Sequence, residues 1–273
     1  MRKGYLQRVI RNMRKLWPFY LNVEVNGHSE YVRFIILGRE RTGSTFLRSL
    51  LNTHRRIIAW GEIFRDYNAI CWDYPLFPQY RSLLSLILSD PIRFLERKVF
   101  KRLPLLISAV GFKIFYHHAQ NESWKPVWTY LRSQKDLRII HLKRQNILKT
   151  YLSYKKAELT NSWLNMFRPE ADNLQILLDY EQCLQTFSYT REQERKYDLF
   201  FADHRKIEVL YENLSANYHR ETKRIQEFLG VDDETVEPVT YKQAAQPLSV
   251  AISNYFELKE RFSGTPWEAF FED

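Results

Sequence analysis

The stretch FIILGRERTGSTFLRSLLN, residues 34–52, holds residue types whose spacing could do chemistry. Gly38 and Gly43 have the spacing of a GxxxxGK[ST] phosphate loop, and Thr45 fills its hydroxyl position. The lysine of that loop is missing. Ser44 stands in its place, with Arg39 and Arg41 just upstream. A strand that ends in such a loop and leads into a helix aims backbone N–H groups and the positive helix end at an anion. Ser44 and Thr45 add hydroxyl donors, and Arg41 adds a permanent cation. A nucleotide triphosphatase would need the loop lysine, and a carboxylate at another strand end to hold Mg²⁺. The apolar runs at 109–115 and 137–142 lead instead into FKIFYHH and IIHLKRQN. The site is rich in cations and poor in metal ligands. Its ligand is expected to carry a compact anionic end and to need no metal.

The elements that must position this loop follow from the apolar pattern. Short β-rich runs lie at 31–37, 56–60, 109–115, 137–142 and 206–212. Helical patterns fill 43–54, 79–101, 122–133, 145–159, 172–202 and 215–229. Near-continuous apolar character in FIIL and RIIHL predicts strands covered on both faces. The alternation predicts an α/β fold: a P-loop-like parallel β-sheet flanked by helices on both faces. Ligands of such sheets bind beyond the carboxyl ends of the strands. No repeat, low-complexity tract or linker divides the chain. A single domain over 1–273 is expected, with 1–27 as a basic helical extension.

Composition narrows the partners. Of 273 residues, 41 are Lys or Arg and 32 are Asp or Glu, a net charge of +9, which favours anionic partners. The cations are dispersed rather than clustered with exposed aromatics, so nucleic acid is not the expected partner. Cys71 and Cys183 are the only cysteines, which fits a reducing, cytoplasmic compartment. No apolar run is long enough for a membrane span. Residues 1–17, MRKGYLQRVIRNMRKLW, allow two readings. They could lie on anionic lipid at the inner membrane surface, or pack on the domain through Leu6, Ile10, Met13 and Leu16.

At this point the chain resembles a known family. GRERTGSTFL is similar to the 5′-phosphosulfate loop of sulfotransferases that use 3′-phosphoadenosine-5′-phosphosulfate (PAPS), matched by Arg41, Thr42, Gly43, Ser44, Thr45 and Phe46. HLKRQNILKTYLSYKKAELTNSW, residues 141–163, resembles the family's 3′-phosphate segment. The resemblance implies that Arg144 and Ser153 grip the 3′-phosphate. VLYENLSANYHRETKRIQEFLGV, residues 209–231, is similar to a late strand and helix of bacterial members. AWGEIF, GFKIF and KQAAQPLSVAISNY look most like the bacterial carbohydrate sulfotransferases. Lys242 falls where many members have a late basic loop on the 3′-phosphate. The likeness fades at 65–108 and 165–203, where an acceptor pocket could be built. The donor has two anionic ends, and arginine suits both because its planar fork donates two parallel bonds.

The resemblance also implies a base. Glu62 in AWGEIF resembles the catalytic glutamate of bacterial members, and a carboxylate is a residue type able to accept a proton. Cytosolic members carry a lysine on the GFKIF strand and a histidine base two residues later. This chain keeps Lys113 but has Phe115 at the histidine position, so the burden falls on Glu62. Lys113 would stabilise charge on the leaving oxygen or the sulfuryl group, and Arg41 with the loop N–H groups would share that catalytic task by holding the sulfuryl and phosphate oxygens. His117 and His118 are rival bases, and His54 reads as a capping or packing residue. Trp60, Trp72, Trp124, Trp128 and Trp163 could stack on a base or sugar, though most tryptophans are core. The implied reaction is sulfuryl transfer from PAPS to a hydroxyl acceptor, a carbohydrate or glycolipid or another hydroxyl compound, releasing adenosine 3′,5′-bisphosphate. The alternatives are a nucleotide-dependent kinase on the same loop, or a nucleotide- or nucleic-acid-binding domain without catalysis.

Overall fold

The structure is a computed structural model, and it describes residues 27–65, 81–161, 163, 174–238 and 246–272. Five strands form one sheet: β1 (Val32–Gly38), β2 (Ile57–Glu62), β3 (Ala109–Phe115), β4 (Arg138–Lys143) and β5 (Lys206–Leu210). Their order is β2-β3-β1-β4-β5, and every neighbouring pair is parallel. The five apolar runs are thus the five strands. The chain leaves β1 towards β2 and leaves β4 towards β5, on opposite sides. That reversal opens a crevice between the carboxyl ends of β1 and β4.

Helices cover both faces, as the continuous apolar runs require. On one face α1 (Ser44–Thr53) packs Leu47, Leu50 and Leu51 against Phe34 and Ile36 of β1 and Ile140 and Leu142 of β4. Two later helices, α7 (Tyr211–Ala216) and α8 (Tyr218–Leu229), complete that layer with Leu214, Ile225 and Leu229. On the other face Ile35, Leu37, Phe112, Ile114 and Ile139 meet α4 (Pro126–Ser133) and the long α6 (Tyr180–Phe200). That layer also includes α2 (Arg81–Ser89) and α3 (Pro91–Phe94), the latter continued by a π-helical turn, Leu95–Val99. A third apolar cluster joins α5 (Ile147–Thr160) to α6 and to the C-terminal helices α9 (Leu248–Ala251) and α10 (Tyr255–Arg261). No described helix is long and apolar enough to cross a membrane.

Where boundaries differ from the sequence pattern, local chemistry decides. The run 79–101 breaks at Asp90, whose side chain accepts from the Arg93 N–H as an N-cap, with Pro91 in the first helical position. The run 172–202 starts its helix only at Tyr180. Asp179 caps it through the Gln182 N–H, and Ile176 is instead bridged to Ile252. The strand expected to reach 212 ends at Leu210, and Tyr211 opens α7.

A buried polar chain ties α6 to the sheet. The Tyr116 hydroxyl donates to His141 Nε2 (2.7 Å), and His141 Nδ1 donates to Asp198 (3.0 Å). Asp198 also accepts from Lys143 and Lys206, each at 2.8 Å. Burial alone would raise the Asp198 pKa. The bonds from His141, Lys143 and Lys206 win and hold it well below the usual carboxylate range. Burial keeps His141 neutral, with its pKa lowered.

Candidate active site

The loop 38–43 leaves the central strand and is built around two glycines. A Cβ at Gly38 would come within 2.5 Å of the Leu142 carbonyl oxygen. Gly43 has φ +81°, and a Cβ there would come within 2.4 Å of the Tyr211 ring. Gly43 is also the N-cap of α1 and offers no side chain to the first turn, which leaves those N–H groups to an anion. Arg41 holds a left-handed φ of +63°, a strained conformation for a residue with a Cβ. Thr42 braces the loop from within, its hydroxyl donating to the Arg39 carbonyl at 2.8 Å. Ser44 is buried at the start of α1, and Phe46 meets Tyr218 edge-on.

The two arginines of GRERTG separate. Arg39 turns away, bonding to Thr190 of α6 and to Glu40. Arg41 turns into the crevice. Its Nε donates to Ser153 Oγ (3.0 Å) and its Nη1 to the Trp163 carbonyl (2.8 Å). Arg144 leaves β4 beside it and donates from Nη1 to the Arg41 carbonyl at 3.2 Å. The Arg144 guanidinium lies over the Tyr211 ring, 4.6 Å from its centre, and its buried Nε has no hydrogen-bond partner. Glu212, 4.0 Å from that Nε, spends its oxygens on the backbone N–H groups of Gln145 and Asn146 ahead of α5. Burial lowers the pKa of both arginines, and Arg144 lowers that of Arg41 further. Two desolvated cations side by side favour an anion between them. The fold thus brings Arg41, Arg144 and Ser153 into one corner.

A second group forms where β2 and β3 meet the loop. Lys113, with 1% of its side chain exposed, donates from Nζ to Glu62 Oε1 and to Thr45 Oγ1, each at 3.0 Å. Glu62 keeps 15% of its side chain exposed, and Arg65 Nε lies 3.9 Å from its other oxygen. The facing of Glu62 and Lys113 depends on an irregularity in pairing. Trp60 is opposite Phe112, yet Glu62 rather than Gly61 is opposite Lys113. Gly61 is the extra residue of a bulge, a device that re-aims a side chain.

The histidines divide. His118 is buried and its Nδ1 accepts from the Phe115 N–H at 3.2 Å. Burial, then His117 and Lys113, push its pKa down to about 2, so it stays neutral and its basic nitrogen is already engaged. His117 is exposed and lies 3.5 Å from Glu40. Burial would raise the Glu40 carboxyl, but Arg39 and His117 bring it below its ordinary value. His54 is a packing and capping residue, bonded to the Asp232 carbonyl and the Arg56 N–H. Trp60, Trp124 and Trp128 are core, and Trp163 contributes its carbonyl to Arg41. Lys242, Trp72 and residues 1–17 lie outside the described residues.

Sequence reasoning missed Tyr211, which fills the space above Gly43 and carries Arg144 on its ring. The available signal was its place directly after the last apolar strand, at a carboxyl end. The contact between Arg41 and Ser153 had no sequence signal, because the two lie in separate βα units.

No protein-family model matches the chain. Nodulation protein H of Rhizobium meliloti strain 1021 is 25% identical over 247 residues, covering 88% of this chain and 94% of that protein. Nodulation protein H of Rhizobium tropici is 25% identical over 244 residues, covering 88% and 92%. Among solved structures, a sulfotransferase from Alicyclobacillus acidocaldarius superposes with a TM-score of 0.51 at 16% identity, covering 88% of this chain and 93% of that one. With its parallel sheet and strand–loop–helix at β1, the chain has the sulfotransferase fold, and over most of its length it is related to nodulation protein H.

Proposed function

We propose that the protein transfers a sulfuryl group from PAPS to a hydroxyl of a carbohydrate or glycolipid acceptor. The observation that carries this reading is Lys113. One buried ammonium joins the anion loop, through Thr45, to a partly exposed carboxylate, Glu62. Cation, loop and base therefore meet at one point, where a transferred group would be attacked.

Each residue then has a task. The N–H groups of α1, with Ser44 and Thr45, hold the 5′-phosphosulfate, while Thr42 and Gly43 shape the loop and Phe46 borders it. Arg144 and Ser153 hold the 3′-phosphate, and Lys242 is assigned to the same group. Arg41 stands between the two ends. PAPS supplies the sulfuryl group. The acceptor oxygen forms the new bond to sulfur as the sulfur–phosphate oxygen bond breaks, and that electron pair leaves on the phosphate of adenosine 3′,5′-bisphosphate. Glu62 takes the acceptor proton. Lys113 follows the charge onto the leaving oxygen, which frees the Glu62 carboxylate at the moment it must accept. The low cysteine usage supports a cytoplasmic setting, and the basic residues 1–17 support contact with the inner membrane surface.

The reading is tested by calorimetry with adenosine 3′,5′-bisphosphate in excess chelator. Binding is expected without divalent metal. Binding that vanishes on chelation, or that is matched by ATP with Mg²⁺, overturns it. Arg144→Ala is expected to weaken the preference for the 3′-phosphorylated nucleotide over its analogue lacking that phosphate. The loss of a charge-assisted bond should cost about 1.5–3 kcal/mol. An unchanged preference removes Arg144 from the 3′-phosphate site.

A further inference from the structure

We infer that the turn Pro104–Ile107 attaches the folded domain to an anionic bilayer, with Leu105 and Leu106 entering the headgroup layer. The Ile107 N–H donates to the Pro104 carbonyl at 2.9 Å and closes the turn. Its two central residues are Leu105, 77% exposed, and Leu106, 52% exposed. Turn centres ordinarily take Gly, Asn, Asp, Ser or Pro, for backbone reasons. Single exposed leucines are commonplace. Two adjacent ones at the centre of one turn leave most of their area exposed on folding.

The sequence leading into the turn is basic. Residues 93–106 carry Arg93, Arg97, Lys98, Lys101 and Arg102 against one acid, Glu96. Arg102 is exposed, and its Nε donates to the Gly27 carbonyl at the base of the turn. Arg56 is fixed beside the turn's end by its bond to Ser108 (3.0 Å), with Asp232 as its acid partner. His28 and Leu103 exchange both backbone hydrogen bonds at 2.9 Å, which fixes His28 beside the turn. Clustered cations within a screening length of anionic lipid add to apolar insertion. This attachment belongs to the folded domain itself, and it is independent of what the crevice binds. The turn precedes β3, so it lies at the end of the sheet opposite the crevice. Seven residues of parallel strand separate the two by about 23 Å.

The test is co-sedimentation of the full chain with vesicles of phosphatidylcholine alone or mixed with phosphatidylglycerol. Binding is expected to the mixed vesicles only, and to fall as salt is raised. The double variant Leu105→Ser/Leu106→Ser should lower partitioning by about tenfold, with the thermal midpoint unchanged. Failure of the full chain to pellet with mixed vesicles overturns the inference, as does equal partitioning of the double variant. A large fall in its thermal midpoint would show the leucines packed by the chain itself, and a dimer that the variant makes monomeric would show a second copy as the occupant. Either result also overturns the inference.

Discussion

Glu62→Gln should remove most turnover while leaving the binding of adenosine 3′,5′-bisphosphate unchanged. Glutamine keeps the shape and one carbonyl oxygen for Lys113 but cannot hold the acceptor's proton. Loss of a general base lowers the rate by about 10²–10⁴-fold. The residues proposed to hold the nucleotide, Arg41, Arg144, Ser153 and the loop, do not involve this carboxylate, so the loss belongs in kcat rather than in donor affinity. Steady-state kinetics with the acceptor held at saturation, beside calorimetry with the product nucleotide, separates the two. His117→Ala is the control. His117 is exposed and positioned by Glu40, outside the Lys113–Glu62 pair. If His117→Ala is inactive while Glu62→Gln turns over normally, the base is misassigned, although the sulfotransferase reading survives.

Lys113→Met should cost a further large factor of its own kind. Methionine fills the buried stem but removes the ammonium that bridges Thr45 and Glu62. Removing one preorganised donor aimed at developing charge typically costs about 10²–10³ in kcat. The telling measurement is the double variant. If Lys113 and Glu62 act as one unit, Glu62→Gln/Lys113→Met should be little worse than the poorer single variant. Full multiplication of the two losses would show that they serve separate steps.

The sheet was legible because its strands are buried on both faces. Runs such as FIIL and RIIHL had to be almost wholly apolar to fit between two helical layers, and each appeared in its place. Helix ends were harder, since apolar content does not stop where a helix does. Leu174, Ile176 and Leu178 continue the pattern of α6 backwards, yet Ile176 spends its backbone bonds on Ala251 and Ser253. Only the Asp179 cap marked the true start. In the site, the loop was legible because glycine spacing and hydroxyls are local properties. The partners of Arg41 were not, because Ser153 and Trp163 lie more than a hundred residues away. Nor was the division of labour between Arg39 and Arg41. They lie two positions apart in a loop, and Arg41 takes a positive φ that the spacing alone does not announce.

The bulge at Gly61 makes the choice of base a matter of strand phase. In a regular strand the parity of a position fixes its face, and Glu62 would share a face with Trp60 and Ile58, looking into the core. One uncounted residue inverts that parity for everything after it. A carboxylate can then be supplied from β2 at the level where β3 carries Lys113. An imidazole two positions beyond Lys113 on β3 would need no such offset, and here that position is occupied by the buried ring of Phe115. Straightening the bulge while keeping Gly61 would therefore turn the carboxylate to the core side of the sheet, whereas deleting Gly61 would put the glutamate directly after Trp60, in regular register with Lys113.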